Sequence, residues 1–571
     1  MEQTNIETKR HSYSHILAAA VLEMFPEAKL AIGPAIDNGF YYDFDLPRTL
    51  IPEDLPLIQK AMKQLIKSRG IFEKTEVPIV EAMKAAKTQQ QIYKAELIED
   101  LSAKGEKTVS FYRVDGFVDL CAGPHVDSLK ELDTKAFKLT TIAGAYWKGS
   151  EKNKMLQRIY GIAFENAEEL AEYERLQVEA KKRDHRKLGT ELDLFSFHDE
   201  GPGFPFWHPK GMVVRNLLIE YWKKEHNKAG YEEINTPIIL REELWHQSGH
   251  WDNYKDDMYF TSIDDQGYAV KPMNCPGGIL IYKSRLHSYR EFPIRLGELG
   301  LVHRHELSGV LHGLFRVRSF TQDDAHIYCT EAQLKDELKG VIKLIEKMYK
   351  ELGFDNYHVE LSTRPEKSIG SDEMWEKAED TLKQVAKELK LDYQLNPGDG
   401  AFYGPKFDFH ITDAIGRTWQ CATLQLDFSM PERFDLEYVD EDGSRKRPIM
   451  LHRTVFGSLE RFLGILIEHN AGALPVWLSP IQVALLPVAD RHVEHCETLK
   501  KELEDSNIRV SLDDSKESVG KKIRNAEMSK APYMLVIGDK EADSGKLSVR
   551  SYADGDLGQM TALELIKKVK K

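Results

Sequence analysis

The stretch LGLVHRHELSGVLHGLFRVRSFTQDDAHIYC, residues 299–329, constrains the fold of this chain more than any other. Two strand-like runs flank a loop punctuated by Gly309 and Gly313, a pattern that predicts an antiparallel pair. Side chains alternate across strands, so Arg304 and Glu306 share one face of the first run, and Arg316 and Arg318 one face of the second. Planar guanidiniums at the mouth of such a pair bind phosphate oxygens bidentately, which suits a polyphosphate. A carboxylate beside them can accept from an adenine amino group. Cross-strand salt bridges among the same residues explain the pattern equally well.

Around this pair the chain has room for roughly three or four domains in its 571 residues. Residues 1–160 mix the helical periodicity of HILAAAVLEMF with the strand-like GFYYDFD and VSFYRVDGFVDL. The polar stretch AFENAEELAEYERLQVEAKKRDHRKLG is rich in helix formers and predicts a connecting helix over 163–186. GPGFPFWHPKG (201–211) then breaks every periodicity, and a long aromatic-rich, strand-rich region extends to about residue 475. In the last hundred residues, IQVALLPV, IRVSLDD and YMLVIG alternate with helical HVEHCETLKKELEDS and SVGKKIRNAEMSK. That rhythm predicts an α/β unit with a largely parallel sheet.

Charge and cysteine usage narrow the function classes. The formal net charge is −14, which argues against a generally basic, DNA-binding chain. Residues 476–571 hold 16 basic and 16 acidic side chains, so the whole excess lies upstream. KKRDHRK (181–187), KKIR (521–524) and the KKVKK tail are local clusters on which a polyanion could dock, or else solvated helix faces. No run of about 18 apolar residues is present, and MEQTNIETKRHSYSH has no signal core, so no membrane span is expected. Five cysteines (121, 275, 329, 421 and 496) in so long a chain make no disulfide framework, which points to a reducing cytoplasm.

Several motifs mislead. GDGAFYG (398–404) lacks the spacing of a dinucleotide fingerprint, SGKLS and VGKKIR are not Walker loops, and no H-E-x-x-H occurs. EMSKAP (527–532) faintly suggests a class I synthetase but has no HIGH partner. RHSYSH puts His11 and His15 one helical turn apart, and DLCAGPH puts Cys121 and His125 at the same spacing. By ligand type alone these four residues make a zinc site.

HRHE followed by FRVRSFTQDDAHIYC resembles motif 2 of class II aminoacyl-tRNA synthetases; GYEEINTP looks like motif 1, and HRTVFGSLERFLGIL like motif 3. WHQSGHWDNYKDDMYF, KPMNCPGG and LHRTVFGSLERF are similar to one branch, the threonyl-tRNA synthetases. HSYSH with CAGPH resembles that branch's editing domain, and PYMLVIGDKEADSGKLSVR its anticodon-binding domain. The resemblance covers essentially the whole chain. It implies an α+β multidomain protein with an α/β editing domain (1–162), a linker helix (163–186), a class II catalytic domain (187–475) and an α/β anticodon-binding domain (476–571). The catalytic domain is expected to be an antiparallel sheet flanked by helices. The bacterial type usually opens with a ubiquitin-like domain, and this sequence resembles a form lacking it. Proline, serine and glycine synthetases are set aside by the MNCPG, DDAH and LHRTVFGSLERF trio. A catalytically dead RNA-binding paralogue is set aside because Arg304, Arg461 and the metal ligands are all present.

The implied activity is ATP-dependent activation of L-threonine, transfer to tRNA(Thr), and hydrolysis of mischarged seryl-tRNA(Thr), in a cytoplasmic homodimer. By resemblance, Cys275, His326 and His452 hold one zinc; residue type alone would make Cys275 a core thiol. Asp324 accepts the threonine hydroxyl proton, with Gln322, Gln425, Tyr403 and Lys406 nearby. Arg304 holds the α-phosphate of ATP and Arg461 the γ-phosphate with magnesium, while Arg316 meets ATP phosphate or the tRNA acceptor end. His11, His15, Cys121 and His125, with Lys94, Asp119 and Tyr42, form the editing site, which the family works without a metal. Glu541 and Arg550 read anticodon bases.

Overall fold

The computed structural model describes residues 5–571. The chain forms two compact units, residues 1–178 and 179–571.

In the first unit the helix Asn5–Met24 buries Tyr13, Ile16, Leu17, Ala20 and Val21 in a core shared with Phe40, Tyr42, Phe44 and Ile159. Those partners come from an antiparallel sheet in which Gly39–Asp45 pairs with Met155–Ala163, and that strand with Phe137–Tyr146. A second sheet places Thr108–Val114 between Glu73–Pro78 and Phe117–Leu120. Its last hairpin turns on Asp115 and Gly116, both at positive φ (44° and 85°), as a two-residue turn matched to strand twist requires.

The helix expected over 163–186 is shorter. Ala163 still belongs to a strand, the Asn166 side chain accepts from Glu169 N–H, and the helix runs Ala167–Arg183. It stops at Asp184, whose non-helical backbone and side-chain bond to Arg186 N–H start a new helix, His185–Glu191.

The second unit is built on an eight-stranded sheet. Its order is Glu232–Glu233, Ile294–His303, Ser319–Cys329, Ile449–Thr454, Thr418–Asp427, Lys406–Thr412, Tyr357–Ser362 and Gln394–Asn396. All pairings are antiparallel except the two at the edges. Alternation sorts the two faces. Val359, Leu361, Phe407, Phe409, Leu424 and Leu426 point into the main core, against Leu338, Val341, Ile342 and Ile345 of the helix Leu334–Glu351. That helix carries its apolar residues three and four apart, as a core-facing stripe demands. The opposite face of the same strands carries Lys406, Asp408, Thr423 and Gln425.

The last hundred residues form a five-stranded sheet of order Val510–Leu512, Val483–Pro487, Tyr533–Ile537, Leu547–Ser551 and Gly555–Met560. Two of its pairings are parallel and two antiparallel, so Leu547–Ser551 alone runs against the other four strands and the sheet is largely parallel, as expected. Crossovers through the helices Val493–Asp505 and Val519–Met528 produce the parallel pairs. The connection after Ile537 holds only a six-residue helix, Asp539–Ser544, and the strand following it returns antiparallel. No described helix is long and apolar enough to cross a membrane.

Candidate functional site

The polar face of the large sheet is the floor of a cavity of about 630 Å³. Strand register lays Lys406, Gln425, His452 and His326 directly opposite one another across four adjacent strands. Because side chains recur at every second residue, Gln322 and Asp324 join His326 on that face. Cys275 opens the helix Cys275–Lys283, rather than lying in a loop, and also lines the cavity.

Cys275, His326 and His452 offer donor atoms within 4.8 Å of one another, all buried. Two observations make the set fit a soft divalent ion. His326 Nδ1 is buried without a hydrogen-bond partner. His452 Nε2 is held by Asp427 Oδ2 at 2.8 Å, which leaves Nδ1 for an ion. Asp427 is itself fixed, Oδ1 accepting from the backbone N–H groups of Ser429 and Met430. Burial and the carboxylates of Asp324 and Asp427 push the Cys275 thiol well up, and burial pushes His326 well down. A divalent cation among them would reverse the penalty on the thiolate. Asp324 is pushed up to about 6 by burial and accepts from Asn274 Nδ2 at 3.0 Å. Gln322 Oε1 is buried and unpartnered, Gln425 donates to the Gly404 carbonyl, and the Tyr403 ring lies 5.0 Å from that of His452. Lys406 meets Asp408 at 2.7 Å and Asp399 at 3.4 Å.

The arginines sit differently from the sequence expectation. The strands stop at His303 and resume at Ser319, so Arg304, Glu306, Arg316 and Arg318 all belong to the intervening loop. Arg304, Glu306, Arg316 and Arg461 line the cavity. Arg318 does not. It donates to the carbonyls of Glu306 and Pro202 and to Ser308, pinning the loop. Glu306 and Arg316 form an ion pair at 2.8 Å, the salt bridge their spacing equally allowed, though within the loop and not across strands. Arg304 lies over the Phe320 ring at 5.2 Å and donates to the Pro272 carbonyl. Arg461 Nε donates to the Phe315 carbonyl.

Sequence reasoning missed Asp427, Asn274 and His250. His250 Nε2 lies 3.7 Å from Cys275 Sγ. None of the three sits in a spacing pattern, and only strand register exposes Asp427. It also missed His185, fully buried, which accepts from Leu314 N–H at Nε2 and meets Glu468 through Nδ1 at 2.6 Å. It thereby joins the loop before Arg316 to the helix Leu459–His469, which carries Arg461.

The N-terminal unit brings its seven expected residues together. His11, His15, Cys121 and His125 offer donors within 4.8 Å of one another. Cys121 Sγ is 3.3 Å from both His11 Nε2 and His125 Nε2. Beside them Lys94 Nζ lies 2.6 Å from Asp119 Oδ1 and donates to the Tyr42 hydroxyl, which donates to Asp119 Oδ2. Burial lowers His11, His15 and His125 and pushes Cys121 up to about 11, so the cluster is neutral at ordinary pH. The neutral cluster could poise a water, or take a metal on release of the Cys121 proton.

Glu541 and Arg550 are not joined by an ion pair among the described residues. Glu541 lies in the helix Asp539–Ser544, not at a strand end. It accepts from Gly538 N–H and the Ser548 hydroxyl. Arg550 is in the strand Leu547–Ser551, opposite Met534 and Asp556.

The comparisons with known proteins agree with one another. Residues 259–470 match the family "tRNA synthetase class II core domain (G, H, P, S and T)", residues 482–571 "Anticodon binding domain", and residues 109–160 "Threonyl and Alanyl tRNA synthetase second additional domain". The threonine–tRNA ligase of Clostridium botulinum (strain Kyoto / Type A2) is 59% identical over 563 residues, 99% of this chain and 88% of the relative. That of Clostridium tetani (strain Massachusetts / E88) is 60% identical over 563 residues, covering 99% and 87%. The crystal structure of the RNA binding domain of threonyl-tRNA synthetase from Cryptosporidium parvum Iowa II is 40% identical, with a TM-score of 0.66. It covers 68% of this chain and 98% of that one.

Proposed function

The chain belongs to the threonine–tRNA ligase family, and from that premise we propose how its residues divide the work. The enzyme activates threonine with ATP and charges tRNA, and its N-terminal domain is of the kind associated with editing. The threonine carboxylate attacks the α-phosphate, pyrophosphate leaves, and the adenylate passes its acyl group to tRNA(Thr). Arg304 holds the α-phosphate and Arg461 the γ-phosphate with magnesium, neutralising charge as it develops. Glu306 accepts from the adenine amino group through the oxygen that Arg316 does not occupy. Arg316 reaches phosphate or the tRNA acceptor end. Positioning and electrostatics account for the step without a covalent enzyme intermediate.

Cys275, His326 and His452 would hold a zinc ion, which would supply a Lewis acid toward the amino and hydroxyl groups of threonine. Asp324, raised to about 6, takes the hydroxyl proton. Gln322, Gln425, Tyr403 and Lys406 surround the amino acid. An apolar pocket separates valine from threonine only about a hundredfold, whereas a site that demands a hydroxyl leaves valine unmatched. Serine keeps the hydroxyl and lacks a methyl worth about 1–3 kcal/mol, so it enters. The His11, His15, Cys121 and His125 cluster then hydrolyses seryl-tRNA, with Lys94, Asp119 and Tyr42 orienting a water and no metal needed. Glu541 and Arg550 contact the anticodon. The working form is a cytoplasmic homodimer.

The observation that carries this reading is the row Lys406, Gln425, His452 and His326 on the floor of the cavity that holds Arg304 and Arg461. Pyrophosphate exchange with threonine, serine and valine, alongside metal analysis, tests it. Threonine and serine should support exchange and valine should not. Exchange with valine at the serine level would overturn the hydroxyl-demanding pocket.

A further inference from the structure

Beyond the cavity, the polar face of the same sheet holds a second cluster with metal-ligand chemistry. His358 and His410 are direct partners in the antiparallel pair Tyr357–Ser362 with Lys406–Thr412. Their rings stack at 4.5 Å with 10° between planes, so their in-plane lone pairs run side by side and one ring must turn about its side-chain bonds for both to meet one ion. Glu360, two residues along from His358, stands on the same face. His358 Nε2 is 3.6 Å from Glu360 Oε1, and His410 Nε2 is 3.7 Å from Glu360 Oε2. These separations are too long for hydrogen bonds. They approach the roughly 3.3–3.5 Å expected between neighbouring ligands of a tetrahedral ion with bonds of about 2.0–2.1 Å.

Among the described residues, His410 finds no partner outside this cluster. His410 Nε2 is buried without a hydrogen bond. Asp408, the nearest other carboxylate along that strand, is occupied by Lys406, Ser362, Gln420 and Thr423. Asn396 donates to Glu360 Oε2 at 2.9 Å, a bond that fixes the carboxylate. Four residues along the strand from Lys406 is about 13 Å, so His410 stands outside the amino-acid pocket.

The geometry points to a divalent transition-metal site on His358, Glu360 and His410, separate from the cysteine-containing clusters. Two imidazoles and a carboxylate select zinc, cobalt or nickel over magnesium or calcium. Both histidines are only partly exposed, which leaves room for water as the remaining ligand. An ion there clips together two strands near the sheet edge, where among the described residues Gln394–Asn396 is the only further strand.

Cobalt(II) discriminates this site from the others, because a thiolate ligand adds a charge-transfer band that a His, His, Glu set lacks. Full-length protein, as isolated and dialysed, is titrated with cobalt(II) and then zinc, and compared with the His358→Gln, His410→Gln double variant. The parent should take up one more equivalent than the variant, with ligand-field bands and no thiolate band, while threonine-dependent pyrophosphate exchange stays equal. Equal uptake, or a thiolate band accompanying the lost equivalent, overturns the site. If the double variant loses exchange, His358→Gln alone is measured, and an unchanged cobalt affinity in it overturns the site as well.

Discussion

At the scale of single residues, chemistry depends on what holds each donor. His452 is a useful metal ligand only while Asp427 occupies its Nε2. In Asp427→Asn the amide oxygen can still accept from Ser429 and Met430, but the NH₂ presents a donor to His452 and favours the wrong tautomer. Metal affinity should fall about 10–100-fold, the usual loss for such outer partners, with threonine activation falling in step. Metal analysis and pyrophosphate exchange read the two together; unchanged metal content in Asp427→Asn removes Asp427 from the role. Cys275→Ala should lose metal and threonine activation outright, and full occupancy in that variant would contradict the ligand set. Residue identity was legible for Arg304, Glu306, Arg316 and the ligand trio because each lies in a quotable segment. Asp427, and the placing of His326 directly opposite His452, were not, since strand register, not chain distance, brings them together.

At the scale of elements, His185 ties the turn Gly313–Phe315 to the helix Leu459–His469. Phe315 in turn presents its carbonyl to Arg461. His185→Ala strands the Leu314 N–H and weakens the setting of a buried Glu468, at a cost of about 1–3 kcal/mol. Urea unfolding should report that loss, and pyrophosphate exchange should drop with ATP affinity more than with threonine affinity. Equal losses for both substrates would mean the residue acts on stability alone. In the last domain the helix Asp539–Ser544 poses a sharper question, because Glu541 both caps it and is assigned to the anticodon. Glu541→Ala should weaken tRNA charging by about 1–3 kcal/mol, a scale borrowed from DNA base contacts, and leave pyrophosphate exchange unchanged. Ser548→Ala removes one hydrogen bond to that carboxylate without deleting it. Equal charging defects in the two variants would make Glu541 structural. Helix and strand types were readable from periodicity, whereas their ends were not: caps at Asn166 and Asp184 shortened the linker helix, and a short connection reversed a strand.

At the scale of the whole molecule, the two cysteine-containing clusters of metal-type ligands belong to separate compact units, His11 with His15 in one and His326 with His452 in the other. Synthesis and proofreading should therefore separate by mutation. His11→Ala combined with His15→Ala should leave threonylation intact and let seryl-tRNA accumulate in a charging assay with serine; deacylation at the parent rate would move the site elsewhere. By itself the sequence determined the residue types, the alternation that makes the central pair antiparallel, and the long motifs that carry the family likeness, because these are properties of neighbours along the chain. Only the tertiary structure decided that Glu306 is already paired with Arg316 and that Arg318 braces a loop. Only it decided that His358 and His410 face each other across two strands. The physical reason is that hydrogen-bonded register converts residues 52 positions apart into contacts at 4.5 Å, and no local pattern records which strands will pair.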